Sequence, residues 1–282
     1  MKLVLQETGQ KNMVITNNDI TQKTYKKLSI QVSLSGLSFC VFDVITNKII
    51  HTATFTFEIN KVVEEQLWRT FVDNTLLTRP YDEIVVLHNN NLNAFVPSSL
   101  FDVNYLASYL QYNTKVFDTD FFTFDTISPY EINNIYVPFV NINNFLLDQY
   151  ESFEYKNSNS ILVKKLLDVS RNKEEKQIFV HVQKSTFELV VVKNQELLLF
   201  NSYHYNASED LIYFILFACE QLQLNPETIS VKILGDCSEE DANYQIIYKY
   251  IRNCSLLDAR IMSIALGETE SNIRNHFTLY HS

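Results

Sequence analysis

Three groups of side chains in this sequence could hold an anion. The first is Ser33, Ser35 and the backbone at Gly36, in the segment QVSLSG at 31–36. Two hydroxyls and a glycine N–H are donors that suit a phosphate oxygen. The second is Lys184 with Ser185 in HVQKST at 181–186, where a point cation stands beside a hydroxyl. The third is Gly235 with Asp236, directly after the apolar run ISVKIL. Each also suits a plain hydrophilic turn between strands.

Other clusters are less directed. Asp118, Asp120 and Asp125 lie among Phe117, Phe121, Phe122 and Phe124. Three carboxylates could bind a hard cation, but their spacing matches no calcium loop, and a polar turn beside an aromatic patch fits as well. His88 ends an apolar strand-like run ahead of Asn89, Asn90 and Asn91, the place where open α/β sheets bind ligands. The remaining histidines share no metal-ligand spacing. No nucleophile elbow, P-loop or dinucleotide fingerprint occurs.

The elements around these residues are readable from hydrophobic period. Residues 28–34, 39–45 and 49–57 alternate as three strands of an antiparallel meander, with turns at 35–36 and 47–48. A helix follows over 61–77, with Asn60 as a candidate N-cap. Pro80 stops it, 84–88 (IVVLH) is a buried strand, and 98–112 reads as a second helix. The order recurs at 177–182, 187–192 and 197–205, then a helix at 208–222 with Ser208 as N-cap. Pro226, a strand at 229–234 and a helix at 238–251 follow. The string D-x-N-Y-x-x-x-Y occurs at Asp102–Tyr109 and again at Asp241–Tyr248, which suggests that the second helices correspond. Between the copies, 135–140 reads as a strand, 141–150 as a helix, 152–155 as a hairpin piece and 159–170 as a crossover helix. Residues 171–176 (RNKEEK) form a charged linker.

The expected fold is therefore α/β: two tandem ribonuclease-H-like subdomains, each a mixed five-stranded sheet flanked by helices. The expected boundaries are an N-terminal arm at 1–27, a first subdomain at 28–155, a crossover helix and linker at 156–176, and a second subdomain at 177–282. Two such units make the architecture of actin-like ATPases, in which nucleotide binds at the base of the cleft between the halves. The segments LSIQVSLSGLSFCVFD (28–43), FVPSSLF (95–101), SFEY (152–155) and FTLY (277–280) resemble a Bacteroidetes family, domain of unknown function 3822. That resemblance implies an actin-like fold and supplies no catalytic residues.

Composition limits the chemistry. The chain has 282 residues, 46% hydrophobic and 20% charged, enough to bury a sizeable core. Four glycines stand where average usage would place about 20, so few backbone loops can approach a phosphate. An AT-rich coding bias would produce the same scarcity. The formal charge of -10 and the lack of a basic stripe argue against nucleic acid. No apolar run is long enough for a bilayer, and no signal peptide is evident. Four cysteines without metal spacing suit a reducing cytoplasm.

Set beside the actin-like pattern, the first hairpin carries Gln31 where the metal-orienting Asp belongs, and the second carries His181 and no glycine. The expectation is a pseudo-ATPase scaffold, bacterial and cytoplasmic, with an unidentified protein partner and no cofactor. ATP with magnesium is disfavoured. The vestigial cleft would comprise Ser33, Ser35, Gly36, Lys184, Ser185, Gly235 and Asp236. A nucleotide-binding switch or weak ATPase is the alternative.

Overall fold

A computed structural model describes residues 23–117 and 119–282. Most of the expected arm at 1–27, together with Asp118, lies outside the described residues.

The meander is built as expected, by β1 (Lys26–Ser33), β2 (Gly36–Asp43) and β3 (Lys48–Thr56). Leu28, Ile30 and Val32 of β1 are fully buried on one face, as period two requires. Helix α1 (Val63–Asp73) crosses over to β4 (Glu83–His88), which runs parallel to β1. The helix is shorter than expected, and Asn60 does not cap it. Gln66 instead reaches back, accepting from Glu58 N at 2.7 Å and donating to Lys61 O at 3.3 Å, which holds the entering chain out of helical geometry.

The next stretch departs furthest from expectation. In place of a helix over 98–112, β5 (Asn93–Pro97) leads through 3₁₀ turns at Ser98–Leu100 and Val103–Tyr105 to a five-residue helix, α2 (Leu106–Leu110). Side chains divert the backbone here: Asp102 accepts from Asn104 N, and Tyr109 Oη donates to Leu100 O. Strands β6 (Thr123–Ile127) and β7 (Ile132–Tyr136) follow. They pair with β5 in a separate antiparallel sheet of order β5-β7-β6. Of the expected strand at 135–140, only Ile135 and Tyr136 are strand, in this small sheet, and Val140 already opens the next helix. Helix α3 (Val140–Gln149) then leads to β8 (Glu154–Asn157), which pairs parallel to β4 and completes the order β3-β2-β1-β4-β8.

Helix α4 (Ser158–Val169) carries the chain to the second sheet. There β9 (Gln177–Val182), β10 (Thr186–Lys193) and β11 (Glu196–His204) form the meander. Asn194 and Gln195 both adopt positive φ, as a two-residue hairpin turn requires. Helix α5 (Ser208–Gln221) starts one residue after its N-cap, Ala207. Asp210 accepts from Asn206 N and Ala207 N, so the acid at the third helical position does the capping expected of Ser208. Strand β12 (Ser230–Gly235), α6 (Ala242–Tyr250) and β13 (Asn253–Leu256) give the order β11-β10-β9-β12-β13, the same as in the first sheet.

This correspondence corrects one expectation. The helix matching α6 is α3, between the fourth and fifth strands. The D-x-N-Y string at Asp102 lies in the small sheet's connection, so the two strings do not occupy equivalent places.

Two features join the lobes. Helix α4 is buried on several sides: Ile161 packs on Val85 and Leu87 of β4, while Leu162, Val163, Leu166 and Leu167 pack with Phe179, Val190 and Leu234 of the second sheet. After β13, helices α7 (Arg260–Leu266), α8 (Glu270–Asn275) and α9 (Phe277–Tyr280) turn back onto the first lobe. Ala259, Leu266, Ile273, Leu279 and Tyr280 form one cluster with Cys40 and Phe42 of β2. Leu162 is fully buried where the lobes meet on α4. Replacing Leu162→Ala should lower stability by about 2–5 kcal/mol, read from urea unfolding.

Candidate functional site

The two meander turns sit at corresponding places, at the ends of β1 and β9. In the first, Ser33 Oγ and Ser35 Oγ lie 3.0 Å apart, and Ser33 Oγ also donates to Gly36 O at 3.2 Å. The hydroxyls thus partner one another at the surface. A side chain on Gly36 would meet Phe55 O at 2.4 Å, so strand packing alone demands glycine. In the second turn, Lys184 and Ser185 are exposed. Gly235 has φ +90°, and a Cβ there would lie 2.1 Å from Val182 O. Its Cα closes against β9, and Asp236 N donates to Val182 O at 2.8 Å while the Asp236 side chain faces solvent. The glycine at the third candidate is therefore explained by the approach of two strands.

The positions behind these turns are tied into the molecule. Thr278 Oγ1 of α9 donates to Gln31 Oε1 at 2.7 Å. Gln31 is the residue at the expected metal-orienting position, so the C-terminal helix occupies its polar end. On the second lobe, His181 stands opposite Glu188 in the β9–β10 register, with Nδ1 and Oε2 2.8 Å apart. Gln183 Nε2 donates to both Glu188 oxygens, at 3.0 and 2.9 Å. Gln183 Oε1 then accepts from Asn89 Nδ2 of the first lobe at 2.8 Å. Ser158 Oγ donates to Asn89 Oδ1 at 3.0 Å and lies 3.3 Å from His88 O. Asn91 Nδ2 and His204 Nε2 make a further, longer contact between lobes at 3.5 Å.

Glu188 escaped notice in the sequence, although the signal was present. A single carboxylate in the apolar run TFELVVVK is 3% exposed and needs partners, and His181 and Gln183 lie across the ladder from it.

The first turn of α4 anchors a second network. Asn157 caps the helix, its side chain accepting from Asn159 N at 2.9 Å. Asn159 Nδ2 donates to Asn93 Oδ1 at 3.0 Å, Asn93 Nδ2 to Asn134 Oδ1 at 2.9 Å, and Asn134 Nδ2 to Ser160 Oγ at 2.8 Å. Ser160 Oγ donates to Asp125 Oδ2 at 2.5 Å, and Asn157 N donates to the same oxygen at 2.9 Å. Asp125 therefore has a structural role and is separated from Asp120, which accepts from Phe117 N in an exposed turn. Among the described residues, no group of three or more His, Cys, Asp or Glu side chains could hold a metal ion. His88 is fully buried. Phe139 N donates to its Nδ1, so Nε2 carries the hydrogen and donates to Asn143 Oδ1 at 3.0 Å.

A cavity of about 330 Å³, lined by first-lobe residues, adjoins this seam through Phe139. Leu34 at the tip of the first hairpin, Val63 and Glu64 of α1, Asp120 and Phe121, and the approach to α3 line it.

The comparisons with known proteins agree with this geometry. The model of the family described as protein of unknown function (DUF3822) matches residues 15–254. The chain belongs to this family. The DUF3822 chain is similar in structure to a Bacteroides thetaiotaomicron protein with an actin-like ATPase fold and unknown function. The two share 19% identity and a TM-score of 0.78, covering 88% of this chain and 98% of the other. It is also similar to a chain of the PilM-PilN type IV pilus biogenesis complex, at 10% identity and TM-score 0.55, covering 90% and 96%. The DUF3822 chain therefore has the actin-like fold. No curated protein matches it.

Burial pushes the Asp125 carboxyl up to about 6 from 3.8, against its hydrogen bonds from Ser160, Asn157 and Tyr136. The folded chain then keeps a proton that the unfolded chain releases, so this group's contribution to stability falls as pH rises from 3.8 to about 6. Burial holds His88 down at about 4 from 6.5, so its contribution falls in the opposite direction, as pH drops from 6.5 towards 4. The two partly cancel in the whole protein. Comparison with Asp125→Asn isolates the carboxyl: the wild type should lose stability relative to the variant as pH rises across that window. Parallel urea-unfolding profiles from pH 4 to 6.5 would contradict a raised Asp125.

Proposed function

We propose that this DUF3822 protein is a pseudo-ATPase, a non-catalytic actin-like scaffold that holds another protein. One observation carries the reading. The side chains at the two phosphate-facing hairpins are committed to the protein's own hydrogen bonds, Thr278 to Gln31 and Asn89 to Gln183. Hydrolysis of a metal-bound triphosphate needs a carboxylate free to place the ion and a group to orient water. The buried carboxylate nearby, Glu188, accepts from Gln183 and pairs with His181.

The proposed docking surface is the first-lobe cavity, whose wall includes Leu34, Val63, Phe121 and Val140. Leu34 and Val140 are 63% and 43% exposed, so apolar surface there is available to a partner. PilM, a protein of similar fold, occurs in complex with PilN, which is a precedent for protein partnering on this architecture. The proposed compartment is the cytoplasm, in keeping with four free, buried cysteines. No helix among the described residues is long and apolar enough to cross a membrane.

Ser35 and Lys184 are exposed and Ser33 is half-buried, which favours a nucleotide-binding switch with divergent contacts as the second reading. The two readings separate in one titration. A nucleotide at a hundredfold excess over its Kd adds about 2.7 kcal/mol to stability. We expect millimolar ATP with magnesium to leave Tm unchanged. A dose-dependent rise would establish the switch. For the scaffold, Leu34→Asp should keep wild-type Tm, since the residue is exposed, and lose a partner that co-purifies with the wild type from native cells.

A further inference from the structure

A second cavity, of about 220 Å³, lies at the opposite end of the first sheet. Lys26 starts β1 and Ser33 ends it. Seven residue steps at about 3.3 Å each put about 23 Å between this cavity and the hairpin turn. Lys26, His51 and Arg79 line it, with Thr24 and the apolar surfaces of Val41, Ile50 and Tyr81.

Three features of this place need a common explanation. First, a chain with 23 Lys and Arg against 33 Asp and Glu brings two of its cations, and a histidine, to one small cavity. Among the described residues, no carboxylate lies within salt-bridge distance of Lys26 or Arg79, although eight such pairs occur elsewhere. The neighbouring acids are already engaged. Asp82 accepts from Thr24 N at 3.2 Å and Tyr25 N at 2.6 Å, and Asp43 accepts from Ile45 N and Thr46 N. Second, the Asp82 contacts hold the chain at Tyr25 in the left-handed region, with φ 52°, a conformation a tyrosine adopts only when its surroundings impose it. That turn keeps Thr24 in the cavity wall. Third, Thr24 Oγ1 is buried in that wall, and among the described residues no group hydrogen-bonds it. A buried hydroxyl without a partner is uncommon and calls for one.

We propose that this cavity binds a small anionic molecule, an oxyanion carried on a compact apolar body. Lys26 and Arg79 would neutralise the oxyanion, and Arg79 can present two N–H groups to it. The Thr24 hydroxyl, closed off in the cavity wall, would reach an oxygen on turning about its Cα–Cβ bond. Val41, Ile50 and the Tyr81 ring would take the apolar part. The Tyr81 hydroxyl is engaged with Leu76 O at 2.7 Å and offers only its ring. A volume of 220 Å³ is below the usual range for drug-sized ligands, so the occupant is the size of a substituted benzene ring.

The test is isothermal titration calorimetry of the full chain with phenyl phosphate, benzoate and benzyl alcohol. Saturable binding of at least one anion, with none of the neutral alcohol, is expected. Phenyl phosphate alone would narrow the recognised group to phosphate, and benzoate alone to carboxylate. Lys26→Met and Arg79→Met, both exposed positions, should each weaken binding about tenfold, the effect of one lost charge-assisted contact. Lys249→Met on α6 removes the same charge from the far lobe and should leave affinity unchanged. Failure of both anions to bind at millimolar concentration would overturn the proposal. So would equal binding of the alcohol, or equal weakening by Lys249→Met.

Discussion

Two sheets of one molecule bury polar residues against the same helix turn, and every one of those groups must find a partner away from water. An unpaired buried donor or acceptor costs about 1–3 kcal/mol, roughly twice the net gain from a typical bond made. The first turn of α4 meets this demand. Asn157, Ser158, Asn159 and Ser160 are all at most 4% exposed, and each is hydrogen-bonded. Their partners come from β4's end, from the small sheet and, through Asn89 and Gln183, from the second lobe. Each amide has both donors and an acceptor, so a chain of asparagines can link three structural units with little formal charge. Removing one member strands its neighbours on both sides.

The same requirement accounts for the state of the interlobe cleft. An actin-like fold keeps open positions for a metal and phosphates between its hairpins. In this chain Gln31, Gln183 and Glu188, at the two hairpins, are bonded to Thr278, Asn89 and His181. The glycines that remain near the cleft are each explained without a ligand. Gly36 clears Phe55 O, and Gly235 clears Val182 O. Scarce glycine was the compositional warning, and the structure adds its complement: where a phosphate loop would leave N–H groups unpaired until a ligand arrives, these turns close on serine hydroxyls or backbone carbonyls.

Much of this was legible in the sequence, for physical reasons that also mark the limits. Alternation in LSIQVSL reports one apolar face and the unbroken run FELVVV a strand buried on both faces, so both meanders and the central parallel strands could be read, while the short edge strands β8 and β13 could not. The small sheet could not. Strands NAFVP and INNIY place buried asparagines, and TFDTI an aspartate, where an apolar pattern would show, because Asn93, Asn134 and Asp125 bond to the α4 turn and not to a hydrophobic layer. The D-x-N-Y string misled because a capping Asp followed by aromatic residues suits a 3₁₀ turn as well as a helix start. Of the candidate site, the turns were found, but their partners Thr278, Asn89 and Glu188 are distant in sequence or hidden in apolar runs. Only the fold brings them together.

These partners bear on whether the lobes can move apart. A ligand shifts such an equilibrium only by its differential affinity for the two states. Opening the cleft at Gln31 means withdrawing α9 from the first lobe, where its Leu279 and Tyr280, at most 4% exposed, pack with Cys40 and Phe42. Burying a large apolar side chain is worth about 1.5–3 kcal/mol, so two such residues resist by roughly 3–6 kcal/mol. The bonds Thr278–Gln31 and Thr52–Tyr280 add to that. A nucleotide at a hundredfold excess over its Kd supplies about 2.7 kcal/mol. The difference favours a closed pair of lobes at ordinary ligand concentrations. The proposed scaffold role fits such a closed frame, with Leu34 and Val140 of the first lobe as exposed apolar surface.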